Sequence, residues 1–125
     1  MKNLLLASAA LELPAGLCLL IAPSRLAALL LGVPLDSMVA LLMARIAGAA
    51  LLALCVASWL VRSSPSARAV WGIVAALLVY NLGVVAILIH ARFGPGLSGA
   101  GLWPAVAGHL CLSAWCVAGL CNRPS

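Results

Sequence analysis

The chain has 125 residues, of which 66% are hydrophobic and only 7% charged, with a net charge of +5. Soluble domains carry about 25% charged residues, so a water-soluble fold of mean hydropathy +1.26 would have almost nothing to place on its surface. The small positive excess reads as membrane-topology determinants and not as a nucleic-acid surface.

A crossing takes about 20 residues. The length therefore accommodates one transmembrane domain over residues 1–125: an all-α, up-down bundle of four membrane helices with a short interfacial helix between the first two. The opening Met1-Lys2-Asn3 and its leucines imitate a signal peptide. No cleavage site follows the apolar core and Glu12 interrupts it, so the segment is expected to stay as the first span, about 3–22. Ser8, Glu12, Ala15, Gly16 and Leu19 share one small, polar face, which should look into the bundle. Pro14 releases the carbonyl of Ala10 one turn from the acid.

Pro23-Ser24 ends that span. Ser24 is placed to cap a short helix from Arg25 to Leu31, closed by Gly32 and lying in the interface. Asp36 is the expected N-cap of the second span, about 37–61. In that span Ala40, Ala44 and Gly48 recur at every fourth residue, a spacing that lets backbones approach closely. The hydrophilic loop Arg62-Ser-Ser-Pro-Ser-Ala-Arg68 leads to a third span, about 67–90. Residues 94–101 form a glycine-rich, flexible connection, and the fourth span covers about 102–121, with Pro104 in its first turn.

Lys2, Arg62, Arg68 and Arg123 fall on one side of this scheme and Arg25 and Arg92 on the other. The positive-inside rule then places both termini in the cytoplasm of a bacterial inner (cytoplasmic) membrane. The five cysteines, Cys18, Cys55, Cys111, Cys116 and Cys121, lie mostly inside apolar runs with no C-x-x-C among them. They read as small hydrophobic side chains.

An unpaired acid at a helix centre costs several kcal/mol, roughly 2.5–3.5 on insertion scales, so Glu12 should be answered from elsewhere. With about 1.5 Å of rise per residue, Asn81 and Glu12 lie roughly 15 Å from the non-cytoplasmic ends and Arg45 and His109 roughly 12 Å. Four polar groups, one per span, are thus expected in one slab, with a Glu12–Arg45 buried ion pair at its centre. Tyr80 or Trp103 would close the cavity. His90 sits at a span end as an interfacial residue. Haem ligation through His90 or His109 is disfavoured by a depth difference of roughly 9–10 Å, and no cofactor or metal is expected. No zinc, phosphate-loop or serine-nucleophile spacing occurs.

Several stretches occur together: Ala22-Pro23 before a leucine run, Ala44-Arg45-Ile-Ala-Gly48-Ala-Ala-Leu, Tyr80-Asn81, and Leu102-Trp-Pro-Ala105 leading to His109 and Trp115. They resemble those of small, uncharacterised four-helix bacterial membrane proteins of the DoxX-like kind. That resemblance implies a fold and no mechanism.

Three functional readings follow. In the first, the slab binds a lipophilic or amphipathic small molecule among lipids, with Glu12 as proton carrier in transport and Arg45, Asn81, Tyr80 and Trp103 as binding residues. In the second, Glu12 or His109 is the acid or base of a cofactor-independent membrane enzyme performing an isomerisation, cyclisation or epoxide opening. In the third, the ion pair holds together a non-catalytic subunit that docks partners through residues 94–101. A homo-oligomer is expected, because four short helices enclose little volume.

Overall fold

The computed structural model describes residues 1–122, and Arg123 of the expected positive-inside count lies outside them. Its helices are α1 (Lys2–Ile21), α2 (Pro23–Leu31), α3 (Met38–Val61), α4 (Ala67–Phe93) and α5 (Leu102–Cys121), with no strand among the described residues. All but α2 are long and apolar enough to cross a membrane. Hydrocarbon offers the backbone no hydrogen-bond partner, so helices that satisfy their own amides are the form such runs must take. Large apolar side chains such as Ile46, Leu60, Val79 and Ile87 point outward, as lipid-facing residues do. The fold is the expected all-α, four-span bundle.

The helix ends show why the chain turns where it does. Pro23 occupies the first position of α2, where its missing N–H would have had no partner anyway. Ser24 does not cap that helix. Its Oγ donates to the Leu35 carbonyl and accepts from the Leu35 N–H, both at 3.1 Å, and so ties the returning loop to α2. The cap of α3 is Ser37 and not Asp36: the Ser37 Oγ accepts from Ala40 N at 3.1 Å. The third span runs to Phe93, three residues past His90, because nothing before Gly94 breaks it.

The glycine-rich connection is not a free loop. The last carbonyls of α2 lack intrahelical donors, and glycine N–H groups supply them. Gly32, in the left-handed region at φ 79, donates to Ala28 O at 2.9 Å. Gly99 donates to Leu30 O at 3.0 Å and Gly101 to Leu29 O at 2.8 Å. A Cβ at Gly99 would collide with the Leu29 carbonyl, so only glycine fits. Residues 99–101 are thus engaged with α2.

Two antiparallel pairs, α1/α3 and α4/α5, make up the bundle. In the first, Gly16 meets Gly48: a Cβ on Gly48 would lie 2.8 Å from the Gly16 carbonyl oxygen. Near the other end of the seam the Cys55 thiol donates to the Ala9 carbonyl at 3.4 Å. These contacts set the register, with Leu52 opposite Glu12. The pairs are joined below by Leu4, Leu5, Val74, Leu77 and Cys116. A second core, Leu88, Leu102 and Val106, takes in Leu31 of α2 above.

Candidate functional site

Glu12 lies on the inward face of α1 with Ser8 and Gly16, and all three are buried. It opens into a cavity of about 240 Å3, lined by Leu11, Glu12 and Ala15 of α1, Tyr80 and Asn81 of α4, and Pro104, Ala105, Gly108, His109 and Leu112 of α5. The α5 residues recur at three- and four-residue steps, so one helical stripe faces the space. Gly108 contributes no side chain, and that leaves room.

Asn81 is 1% exposed and its polar atoms are committed. Nδ2 donates to the Leu77 carbonyl at 2.7 Å, and Oδ1 pairs with His109 Nδ1 at 2.6 Å. Because the amide nitrogen is already donating, Oδ1 is the acceptor and His109 Nδ1 carries the proton, an assignment made from the hydrogen-bond network. In a neutral imidazole Nε2 is then left as a free acceptor. The Tyr80 ring meets the His109 ring edge to face, with centroids 5.8 Å apart. Ser113 Oγ donates to the His109 carbonyl at 2.8 Å one turn further on.

Glu12 is 6% exposed, and its Oε2 has no hydrogen-bond partner among the described residues. A buried polar group without a partner costs about 1–3 kcal/mol, and more when charged.

The expected ion pair does not form. Arg45 is exposed and its Nε donates to the Leu20 carbonyl at 3.2 Å. The reason is register. With Gly48 set against Gly16, the first turn of α3 overhangs the end of α1, and Arg45 falls roughly 10 Å along the axis from Glu12. There it caps a carbonyl in the last turn of α1, at the negative end of the helix dipole. The expected slab therefore contains Glu12, Asn81 and His109, with Tyr80 beside them, and Arg45 lies outside it.

Trp103 does not close the cavity either. Two residues rotate a helix by about 200°. Trp103 therefore points away from the stripe that carries Ala105 and His109, and it is exposed.

Two buried hydroxyls were not among the expected site residues. Ser58 is fully buried, and its hydroxyl and that of Ser8 are without partners among the described residues. The available signal was that Ser58 is a lone hydroxyl in an apolar run, on the same face of α3 as Gly48 and Leu51. Among the described residues no group of three or more His, Cys, Asp and Glu comes together as a metal site. Cys55 and Cys116 are inside the bundle, while Cys18, Cys111 and Cys121 face outward.

Comparison with known protein families, curated proteins and solved structures finds no match to the chain.

Proposed function

We propose that the protein binds a small amphipathic molecule within the membrane, its polar head held at Glu12 between α1, α4 and α5. One observation carries this reading: a buried acid, one of whose carboxyl oxygens has no partner among the described residues, lines a cavity. Intramembrane acids that are neither paired nor lipid-facing mark binding or proton sites. The residues lining the cavity supply acceptors, the Glu12 carboxylate and His109 Nε2, and neither lysine nor arginine lines it. A head that donates hydrogen bonds, such as an amine or a hydroxyl, fits that set. A proton gained or lost at Glu12 would switch it between donor and acceptor, which is the property a proton-coupled carrier needs.

Native mass spectrometry of the protein taken from its membrane tests the reading. Wild type should carry a small-molecule adduct, and folded Glu12→Gln should have lost it. An adduct that survives unchanged in Glu12→Gln would refute it.

A second reading has its own support in the Asn81–His109 bond. An imidazole oriented through Nδ1–H with Nε2 free is the arrangement of a general base. Glu12 opposite could supply the acid for an isomerisation, cyclisation or epoxide opening. Conversion of the bound molecule, lost in His109→Gln while binding persists, would distinguish catalysis from carriage. Arg45 and Trp103 take no part in either reading.

The site is proposed to sit in a bacterial cytoplasmic membrane with both termini inside. Lys2, Arg62 and Arg68 support that orientation, and Arg45, reaching the opposite end of α1, narrows the margin. Cysteine-accessibility labelling at Ser63 from either side checks it.

A further inference from the structure

The polar cavity is not the only space that Tyr80 borders. A cleft of about 640 Å3 lies between α1, α3 and α4, and Leu19, Ala50, Ala53, Ala57, Val84 and Tyr80 are among its walls. Tyr80 also lines the cavity at Glu12. The two spaces therefore share one wall residue, Tyr80.

Their characters differ. The cleft walls are aliphatic apart from Tyr80, and α3 presents alanines there from Ala47 to Ala57, a length of about 15 Å along the helix. Methyl groups cannot fill the gap to α4, and these two helices touch only sparsely. Ligand pockets for drug-sized molecules span about 300–1,000 Å3. The polar cavity, at about 240 Å3, is too small for more than a head group, while the cleft, at about 640 Å3, lies within that range.

An alanine-lined groove in a membrane would by itself attract any acyl chain. What distinguishes this one is its inner end. Beyond Tyr80 stands a carboxyl group 6% exposed, which lines the adjoining cavity and whose Oε2 lacks a partner among the described residues. A molecule with its head at that acid has a long apolar space on the other side of a shared wall residue for the rest of its length.

We propose that the ligand is a single-chain amphiphile: its donor-bearing head sits at Glu12, and its alkyl tail passes Tyr80 to lie in the cleft between α1, α3 and α4. This rests on the head-group site proposed above and adds the tail. Head chemistry is selected at Glu12 and chain length along α3.

The test uses two amine-headed photoprobes, one dodecyl and one butyl, each with a diazirine at the end of its chain. Both are applied to the whole protein in phosphatidylcholine nanodiscs, and adducts are mapped by mass spectrometry. The dodecyl probe should label α3 between Ala47 and Ala57, and the butyl probe should label the cavity around Leu112. Ala53→Trp, and separately Ala50→Trp, fills the cleft from an exposed position that needs no repacking of the bundle. Each should cut dodecyl labelling about tenfold, the loss expected when about two chain methylenes are expelled, and leave butyl labelling unchanged. Ala86→Trp, exposed elsewhere on α4, should change neither. Glu12→Gln should remove both.

Dodecyl adducts in the cleft that persist in Glu12→Gln would mean ordinary lipid-like filling. If butyl labelling still depended on Glu12, that result would overturn the tail site and leave the head site standing. Undiminished dodecyl adducts in both tryptophan variants would overturn it as well. Labelling by neither probe in a Glu12-dependent way would overturn the head site, and the tail site with it.

Discussion

At the level of Glu12 the two helix seams are built from different kinds of residue. The α1/α3 seam closes on Gly16 and Gly48, where backbone meets backbone with no space for a Cβ. The α4/α5 seam is joined instead by a side-chain bond, Asn81 to His109, and it borders a cavity. Lipid gives apolar helices no hydrophobic reason to associate, so close approach through small residues is the available source of attraction in the first seam. Polar side chains hold the second seam at arm's length and leave volume beside it. Glu12 belongs to the first pair by chain and faces the second by geometry. Its neighbours across α3 are closed against it, and its open side is the α4/α5 cavity.

Substitutions that alter one seam and spare the other sharpen this contrast. The largest effect is expected at Gly48. Gly48→Leu forces a side chain against the Gly16 backbone and Leu19. It should cost about 3 kcal/mol or more, at or beyond the upper end of overpacking penalties, measured as denaturant unfolding in detergent. An unchanged midpoint would mean the seam is looser than described.

Glu12→Leu should do the reverse. Removing a buried group that lacks a partner is expected to stabilise by about 1–3 kcal/mol, while abolishing any adduct. A loss of stability instead would show that Glu12 has a partner within the fold. Asn81→Leu comes next. Interhelical hydrogen bonds in membranes average about 0.6 kcal/mol and reach about 1.7, so a loss in that range is expected. The more telling readout is nitrogen NMR of His109, whose proton should no longer be held on Nδ1. A spectrum unaltered by Asn81→Leu would contradict the tautomer assigned here.

The smallest effect is expected at Arg45. Arg45→Met gives up a helix-end contact of about 0.3–1 kcal/mol. Its effect should also add to that of Glu12→Leu within about 0.3–0.5 kcal/mol, as for independent sites. A double variant that restores what each single change lost would revive the ion pair.

Much of the site could be read in the chain before any coordinates. Glu12, Asn81 and His109 stand out because each interrupts an apolar run, and the inward face of Ser8, Glu12 and Gly16 follows from helical spacing alone. The expectations for Arg45 and Trp103 failed for different reasons. Trp103 was offered, as the alternative to Tyr80, to close the cavity without regard to its angle on the helix. Arg45 was placed by counting from the start of α3, as though all spans began at one level. Five residues of overhang, set where Gly48 meets Gly16, remove it from the acid. The glycine-rich connection misled as well: composition suggests flexibility, yet two of its N–H groups complete the end of α2.

By itself the sequence determined that four segments must be helices in a membrane, because hydrocarbon leaves their backbones no other partner. It also determined which few side chains would be costly there. Only the tertiary structure decided which of those meet. Hydropathy reports depth within one helix, whereas the vertical offset between helices comes from where glycine lets two backbones touch. That offset, set at Gly16 and Gly48, gives Glu12 a cavity in place of a counter-ion.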